Sequence, residues 1–359
     1  MRLGIIGLPN SGKTTLFNAL TGGEYATSAV SSGIFEVNTS VVKVPDERLD
    51  KLEALYNSKK KTHSTVVYSD VGGLDKGIGQ GGLEGPLRSE LQQVDGFVHV
   101  VRAFKSDVVP HPYESVNPQR DLEALDGEFL FLDLMAAEKR LERIENEIRI
   151  RGKRADEAML DEKPLMEKII AQLEQEKPLR DMEFSDRERK MMGGFGFLSL
   201  KPVLIVINLG DEREAGDDAI DYPYSKANHI ALQAALEAEL AQLDPEDAEM
   251  FMEEYGVTEL SADKVIRLSY DLLGVQDFLT AGESEVRAWT IPAGATAFEA
   301  AGAIHSDIQK GFIRAEVIPY DDMIRLGSEK EVKAEGKMRL ESKEYIVQEG
   351  DILVFRHSS

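Results

Sequence analysis

Apolar positions along the chain follow two rhythms. Predominantly apolar runs at residues 3–6, 94–101 and 202–208 lack regular polar alternation, as strands covered on both faces require. Residues 37–44 and 65–70 are further β-rich runs. From Asp121 the spacing changes. Leu134, Ala137, Leu141, Ile144 and Ile148 recur every three or four residues amid charges of both signs, the seam of a coiled-coil helix. Met166, Ile169 or Ile170, and Leu173 continue that register before a break near Pro178. Two antiparallel helices forming a projecting hairpin are expected. Helices are also expected from Asp46 to about Tyr56 and at 231–243, 245–255 and 265–273. After residue 283, β-rich runs at 286–291, 314–318, 345–347 and 352–355 surround one helix at 296–304, the outline of a β-grasp module.

Composition narrows the class. At 359 residues the chain exceeds one core, and 42% hydrophobic with 7% aromatic content suits a globular protein. No apolar run approaches the roughly 18 residues of a membrane span, and no secretory leader is read, so a cytoplasmic protein is expected. The absence of cysteine excludes disulfides and thiolate metal sites. A net charge of −23 argues against broad attraction to DNA or RNA. The hairpin region 128–192 is nearly balanced, with 14 basic against 17 acidic residues. Its mixed charge suits a solvated face, and the sharper alternative is a docking arm with a basic tip between Arg149 and Arg154.

The chemistry begins directly after the first apolar run. Gly7-Leu8-Pro9-Asn10-Ser11-Gly12-Lys13-Thr14 has the spacing G-x-x-x-x-G-K-[ST], with a strand before it and a helix after it. Backbone N–H groups and a helix N-terminus then face a polyphosphate, so Asn10, Ser11, Gly12, Lys13, Thr14 and Thr15 are expected to bind nucleotide. Lys13 is expected to reach the β/γ-phosphates, and the Thr14 hydroxyl to ligate Mg²⁺. Asp70-Val71-Gly72-Gly73 follows a β-rich run, which suits Asp70 holding Mg²⁺ through water and the Gly73 amide sensing the γ-phosphate. Leu74 stands where many GTPases carry a water-orienting Gln. The glycine-rich stretch 76–85 suits a switch that orders with nucleotide. Asn208-Leu209-Gly210-Asp211 has the N-x-x-D spacing of a base-reading element, in which the Asp carboxylate favours guanine. The expected fold is α/β: a P-loop NTPase (G-domain) sheet in two parts, 1–127 and 193–282, an inserted coiled-coil hairpin at 128–192, and a β-grasp domain at 283–359.

These motifs, with Arg287-Ala288-Trp289-Thr290-Ile291 and the stretches 301–307 and 310–317, resemble the YchF/Obg-like ATPase family along essentially the whole chain. The resemblance implies that the C-terminal module is a TGS domain. It also implies Mg²⁺-dependent nucleotide hydrolysis favouring ATP over GTP, and a ribosome as partner. By the same resemblance, His111 ahead of Val116-Asn117-Pro118 is a candidate catalytic residue, Asn10 a candidate K⁺ ligand, and Gln233-Ala234 the third base-contacting stretch. Leu74 fits the family's hydrophobic replacement of Gln. Three positions depart from the family pattern: Ile34 in place of the switch threonine, Asp211 in place of Glu, and no lysine at 233–235. ATP and GTP therefore both stand as expected ligands. Slow intrinsic turnover is expected, and a nucleotide-gated ribosome binder with negligible hydrolysis is the alternative.

Overall fold

A computed structural model describes residues 1–23, 25, 37–72, 83, 85–152, 157–210, 219–255 and 260–358. The strands are β1 (Arg2–Ile6), β2 (Val37–Lys43), β3 (Lys61–Thr62), β4 (Thr65–Val71), β5 (Gly96–Arg102), β6 (Val203–Asn208), β7 (Ala227–Leu232), β8 (Val275–Thr280), β9 (Val286–Pro292), β10 (Phe312–Ile318), β11 (Arg339–Glu341) and β12 (Ile352–His357). They form two six-stranded sheets, ordered β2-β4-β1-β5-β6-β7 and β11-β10-β12-β8-β9-β3. The chain divides into two compact units, 1–40 with 67–265, and 41–66 with 266–359.

In the first unit β1 pairs in parallel with β4 and β5, and β6 with β5 and β7. Every residue of β5 and β6 is buried, which is why the sequence is mostly apolar there without regular polar alternation. One 34-residue helix, Pro118–Arg151, serves two cores. Its Leu122, Leu125, Phe129 and Leu132 pack beside Phe97, Val203 and Ile205 of the sheet. Farther along, Ala137 and Ile144 pack against Leu165, Met166, Ile169 and Leu173 of the Glu157–Leu173 helix, making the expected hairpin. At its root, Asp133 accepts hydrogen bonds from the Leu198 and Ser199 N–H groups at 2.9 and 2.7 Å.

In the second unit β10 is antiparallel to β11 and β12, β12 runs parallel to β8, and β8 is antiparallel to β9. The Ala297–Ile304 helix opens on a capping box between Thr296 and Glu299 and packs Ala297 and Ala300 against Phe278, Val317 and Leu353.

Three expectations are corrected. The boundary expected at residue 283 would separate β8 from its antiparallel partner β9, and the unit begins earlier, at 266. It also takes in 41–66, because Leu49 and Leu52 of the Glu47–Tyr56 helix share a core with Leu279, Val286 and Ile352. The helix expected at 231–243 is Ala234–Leu240, since Ala231 and Leu232 complete the parallel pairing of β7 with β6. Residues 345–347 make an isolated bridge, Thr296 to Ile346, in place of a strand. No helix among the described residues is long and apolar enough to cross a membrane.

Candidate nucleotide-binding site

Gly7 and Gly12 shape the loop after β1. Gly7 has φ 149°, and a Cβ there would lie 2.3 Å from the Val100 carbonyl oxygen of β5. Gly12 has φ 99°, and its Cβ would lie 2.1 Å from Asn208 Nδ2. Both positions demand glycine on conformation and on space. The helix Lys13–Thr21 follows with no side-chain cap at Gly12. The N–H groups of a helix's first turn point along the axis toward the loop that precedes it, the arrangement that favours a bound anion.

Lys13 folds over the loop, its ammonium donating to the Gly7 and Leu8 carbonyls at 3.0 and 2.9 Å. Thr14 Oγ1 donates to Asp70 Oδ2 at 2.6 Å. Asp70 is 5% exposed, and its other oxygen, Oδ1, is buried with no hydrogen-bond partner among the described residues. Burial pushes this carboxyl above the ordinary range, against the pull of the Thr14 hydroxyl and the Lys13 charge. A buried carboxylate oxygen without a donor, beside a threonine hydroxyl, suits a hard cation with oxygen ligands such as Mg²⁺. Among the described residues there is no group of three or more His, Cys, Asp or Glu suited to a metal, and Thr14 with Asp70 are the candidate donors there. The Ser11 hydroxyl is likewise buried and has no hydrogen-bond partner among the described residues.

Asn208 ends β6 directly beneath this loop. Its Nδ2 donates to the Ser11 carbonyl at 2.9 Å, and its Oδ1 accepts from the Ala234 N–H at 3.1 Å. The amide thus ties the phosphate loop to the start of the Ala234–Leu240 helix. Gln233 Nε2 donates to the Gly210 carbonyl at 3.1 Å, and the Leu209 N–H to the Leu232 carbonyl at 2.8 Å. The structure therefore gathers Asn10 to Thr15, Asp70, Asn208, Leu209, Gln233 and Ala234 at the carboxyl ends of β1, β4, β6 and β7, the edge where open α/β sheets bind ligands. Gly73, Leu74, Ile34, Asp211 and the stretch 76–82 lie outside the described residues.

His111 is held at both ring nitrogens. Nδ1 accepts from the Tyr113 N–H at 3.1 Å, which leaves Nε2 as the donor to Asp121 Oδ2 at 2.8 Å. Asp121 is 2% exposed and also paired with Arg120 at 2.7 Å. Neighbouring Pro110 brings this loop to the phosphate loop, its carbonyl accepting from Asn10 Nδ2 at 3.0 Å. Sequence reasoning passed over two residues here. Arg102, at the buried end of β5, donates to the carbonyls of Phe104, Val109 and Pro110 and fixes the path of the loop. Asp121 orients the histidine. The available signals were a cation closing an apolar strand and an acid in the first turn of a helix.

Known proteins agree with this geometry. A family model described as "50S ribosome-binding GTPase" matches residues 2–132, and a C-terminal YchF GTPase model, itself described as a protein of unknown function, matches residues 275–358. The Bacillus subtilis protein called ribosome-binding ATPase YchF is 39% identical over 362 residues, covering 98% of each chain. Its Escherichia coli O157:H7 counterpart of the same name is 38% identical over 360 residues, covering 99% of this chain and 98% of its own. A structure titled as the Schizosaccharomyces pombe YchF GTPase superposes with a TM-score of 0.82 at 30% identity, over 99% of this chain and 97% of that one. Loop, sheet order and full-length identity lead to one assignment, and the chain belongs to the YchF family.

Proposed function

We propose that this protein is a nucleoside-triphosphate hydrolase that works as a ribosome-associated switch in the cytoplasm. The observation that carries the reading is the Thr14–Asp70 pair, 2.6 Å apart beneath the loop, with the second Asp70 oxygen buried and undonated. Thr14 and Asp70 would hold Mg²⁺, which when bound neutralises charge on the β- and γ-phosphates. The loop N–H groups orient the phosphates, and the Lys13 ammonium exchanges its two carbonyls for phosphate oxygens. Phosphoryl transfer to water then needs positioning and charge stabilisation more than covalent help. The ribosome enters through the relatives, which are named ribosome-binding ATPases.

The relatives carry both names, ATPase for the bacterial proteins and GTPase for the fission-yeast one. We read ATP as the family preference, and Asp211 as the residue that admits GTP. The engaged nitrogens of His111 support slow turnover in the isolated protein and favour, as a second reading, a nucleotide-gated binder whose hydrolysis is negligible until a partner acts. K⁺ at Asn10 is a further element of this proposal: the Pro110 carbonyl takes the Asn10 amide nitrogen, which turns the amide oxygen the other way.

Single-turnover hydrolysis of γ-labelled ATP and GTP tests the reading. Lys13→Ala is expected to slow cleavage by about 100-fold or more, as loss of a charge-stabilising group does. Unchanged cleavage would overturn the proposal.

A further inference from the structure

The root of the helical hairpin carries a groove outside the nucleotide site, where the seam residues Leu134 and Leu173 form part of the wall. It is a cavity of about 490 Å³ between the first turns of the Pro118–Arg151 helix and the segment 173–178, lined by Glu123, Asp126, Gly127, Phe131, Glu174 and Glu176 among others. Three features set it apart from the rest of the arm.

Gly127 sits inside a long helix, where glycine costs about 1 kcal/mol against alanine. Nothing in this protein requires it: a Cβ built there meets no atom within 4 Å, and its φ is ordinary. The missing side chain opens the groove floor. One turn further on, Phe131 is 48% exposed and presents an aromatic face at the mouth. The third feature is charge. Elsewhere along the hairpin several acids are ion-paired, Glu162 with Arg140 at 2.6 Å, Glu145 with Lys163 at 3.0 Å and Glu188 with Lys168 at 3.2 Å. Glu123, Glu174 and Glu176 have no ion-pair partner among the described residues; Glu123 accepts from Gln119 Nε2 at 2.7 Å. Asp126 is committed to Arg180 and Tyr222 on the inner wall, leaving three uncompensated carboxylates around an apolar floor.

We propose that this groove is a docking site for a basic protein segment, with an arginine or lysine stem laid over Gly127 and its charged head among Glu123, Glu174 and Glu176. The aliphatic part of such a side chain covers the apolar floor while the head stays polar, and a guanidinium gains further from the Phe131 ring. The same carboxylates repel phosphate, so the partner at this place is protein and not RNA. The proposal rests on the ribosome-binding reading above, and it names protein as the class of ribosomal component met here.

The test places p-benzoylphenylalanine at position 131 of the full-length protein, irradiates it with purified ribosomes, and records co-sedimentation in the same tubes. An adduct that survives nuclease and is removed by protease is expected. Gly127→Leu fills the groove without changing charge and favours the helix. In that background the adduct yield should fall at least about fivefold while the melting temperature does not fall and ribosome-free hydrolysis stays unchanged. Glu174→Lys with Glu176→Lys should lower it similarly. A nuclease-sensitive adduct, an adduct between two copies of this chain, or a yield indifferent to Gly127→Leu overturns the proposal. Co-sedimentation without any adduct rejects the groove alone, whereas absence of co-sedimentation rejects the ribosome reading and the groove with it.

Discussion

At the phosphate end of the site, main-chain geometry sets the shape. Gly7 and Gly12 hold conformations that other residues resist, the loop packs against the Val100 carbonyl, and the Thr14–Asp70 contact fixes the floor. At the base end, side chains are engaged with the protein's own backbone. Asn208 spans the Ser11 carbonyl and the Ala234 N–H, and Gln233 holds the Gly210 carbonyl. The difference teaches which property is robust. In the proposed site the polyphosphate is held mainly by backbone with the Thr14 and Asp70 side chains, whereas at the base end Asn208 braces the loop itself and the choice of base is left to its neighbours.

That contrast can be broken by substitution. After Lys13→Ala, the largest effect is expected from Asp70→Asn, which should weaken Mg²⁺-dependent triphosphate binding about 10- to 100-fold, the usual cost of losing a carboxylate that supports a bound metal through water. Calorimetry with and without Mg²⁺ checks it, and an equal loss in both would assign Asp70 to the fold instead. Asn208→Ala comes next. It leaves the Ser11 carbonyl and the Ala234 N–H buried without a partner, so urea unfolding should show a loss of about 1–2 kcal/mol, with the ATP-to-GTP preference unchanged. A changed preference at unaltered stability would make Asn208 a base reader, not a brace. The smallest effect belongs to His111→Ala. An engaged acid–base group contributes about 10²- to 10⁴-fold. With both nitrogens held by Tyr113 and Asp121, basal turnover should fall less than about tenfold. A full loss in the isolated protein would show that the ring leaves Asp121 during each cycle.

Legibility in the sequence divides along the same line. The loop was readable because its glycines answer to backbone constraints that spacing records, and because fully buried parallel strands leave mostly apolar runs on either side. The hairpin was readable because its seam repeats, and Ala137, Ile144, Met166, Ile169 and Leu173 do pack together. What escaped depends on distant partners. No local pattern reveals that Leu49 and Leu52 pack with Leu279 and Ile352, which moves residues 41–66 into the C-terminal unit. The N-x-x-D spacing finds Asn208 but not the direction of its amide. His111 and Asp121 lie ten residues apart, and their pairing needs the loop that Arg102 staples through three carbonyls. Ala231 and Leu232 read as helix because the apolar spacing of one short strand also fits a helical face, and pairing with β6 decided for strand.

The central claim, that the phosphate end suffices for binding, is tested most directly by displacing a fluorescent ATP analogue from the full-length protein with inorganic tripolyphosphate in excess Mg²⁺. The account predicts displacement by tripolyphosphate in wild type and a strongly reduced effect in Lys13→Ala. Displacement by ATP and GTP but by no concentration of tripolyphosphate would contradict it, placing the binding energy at the base end.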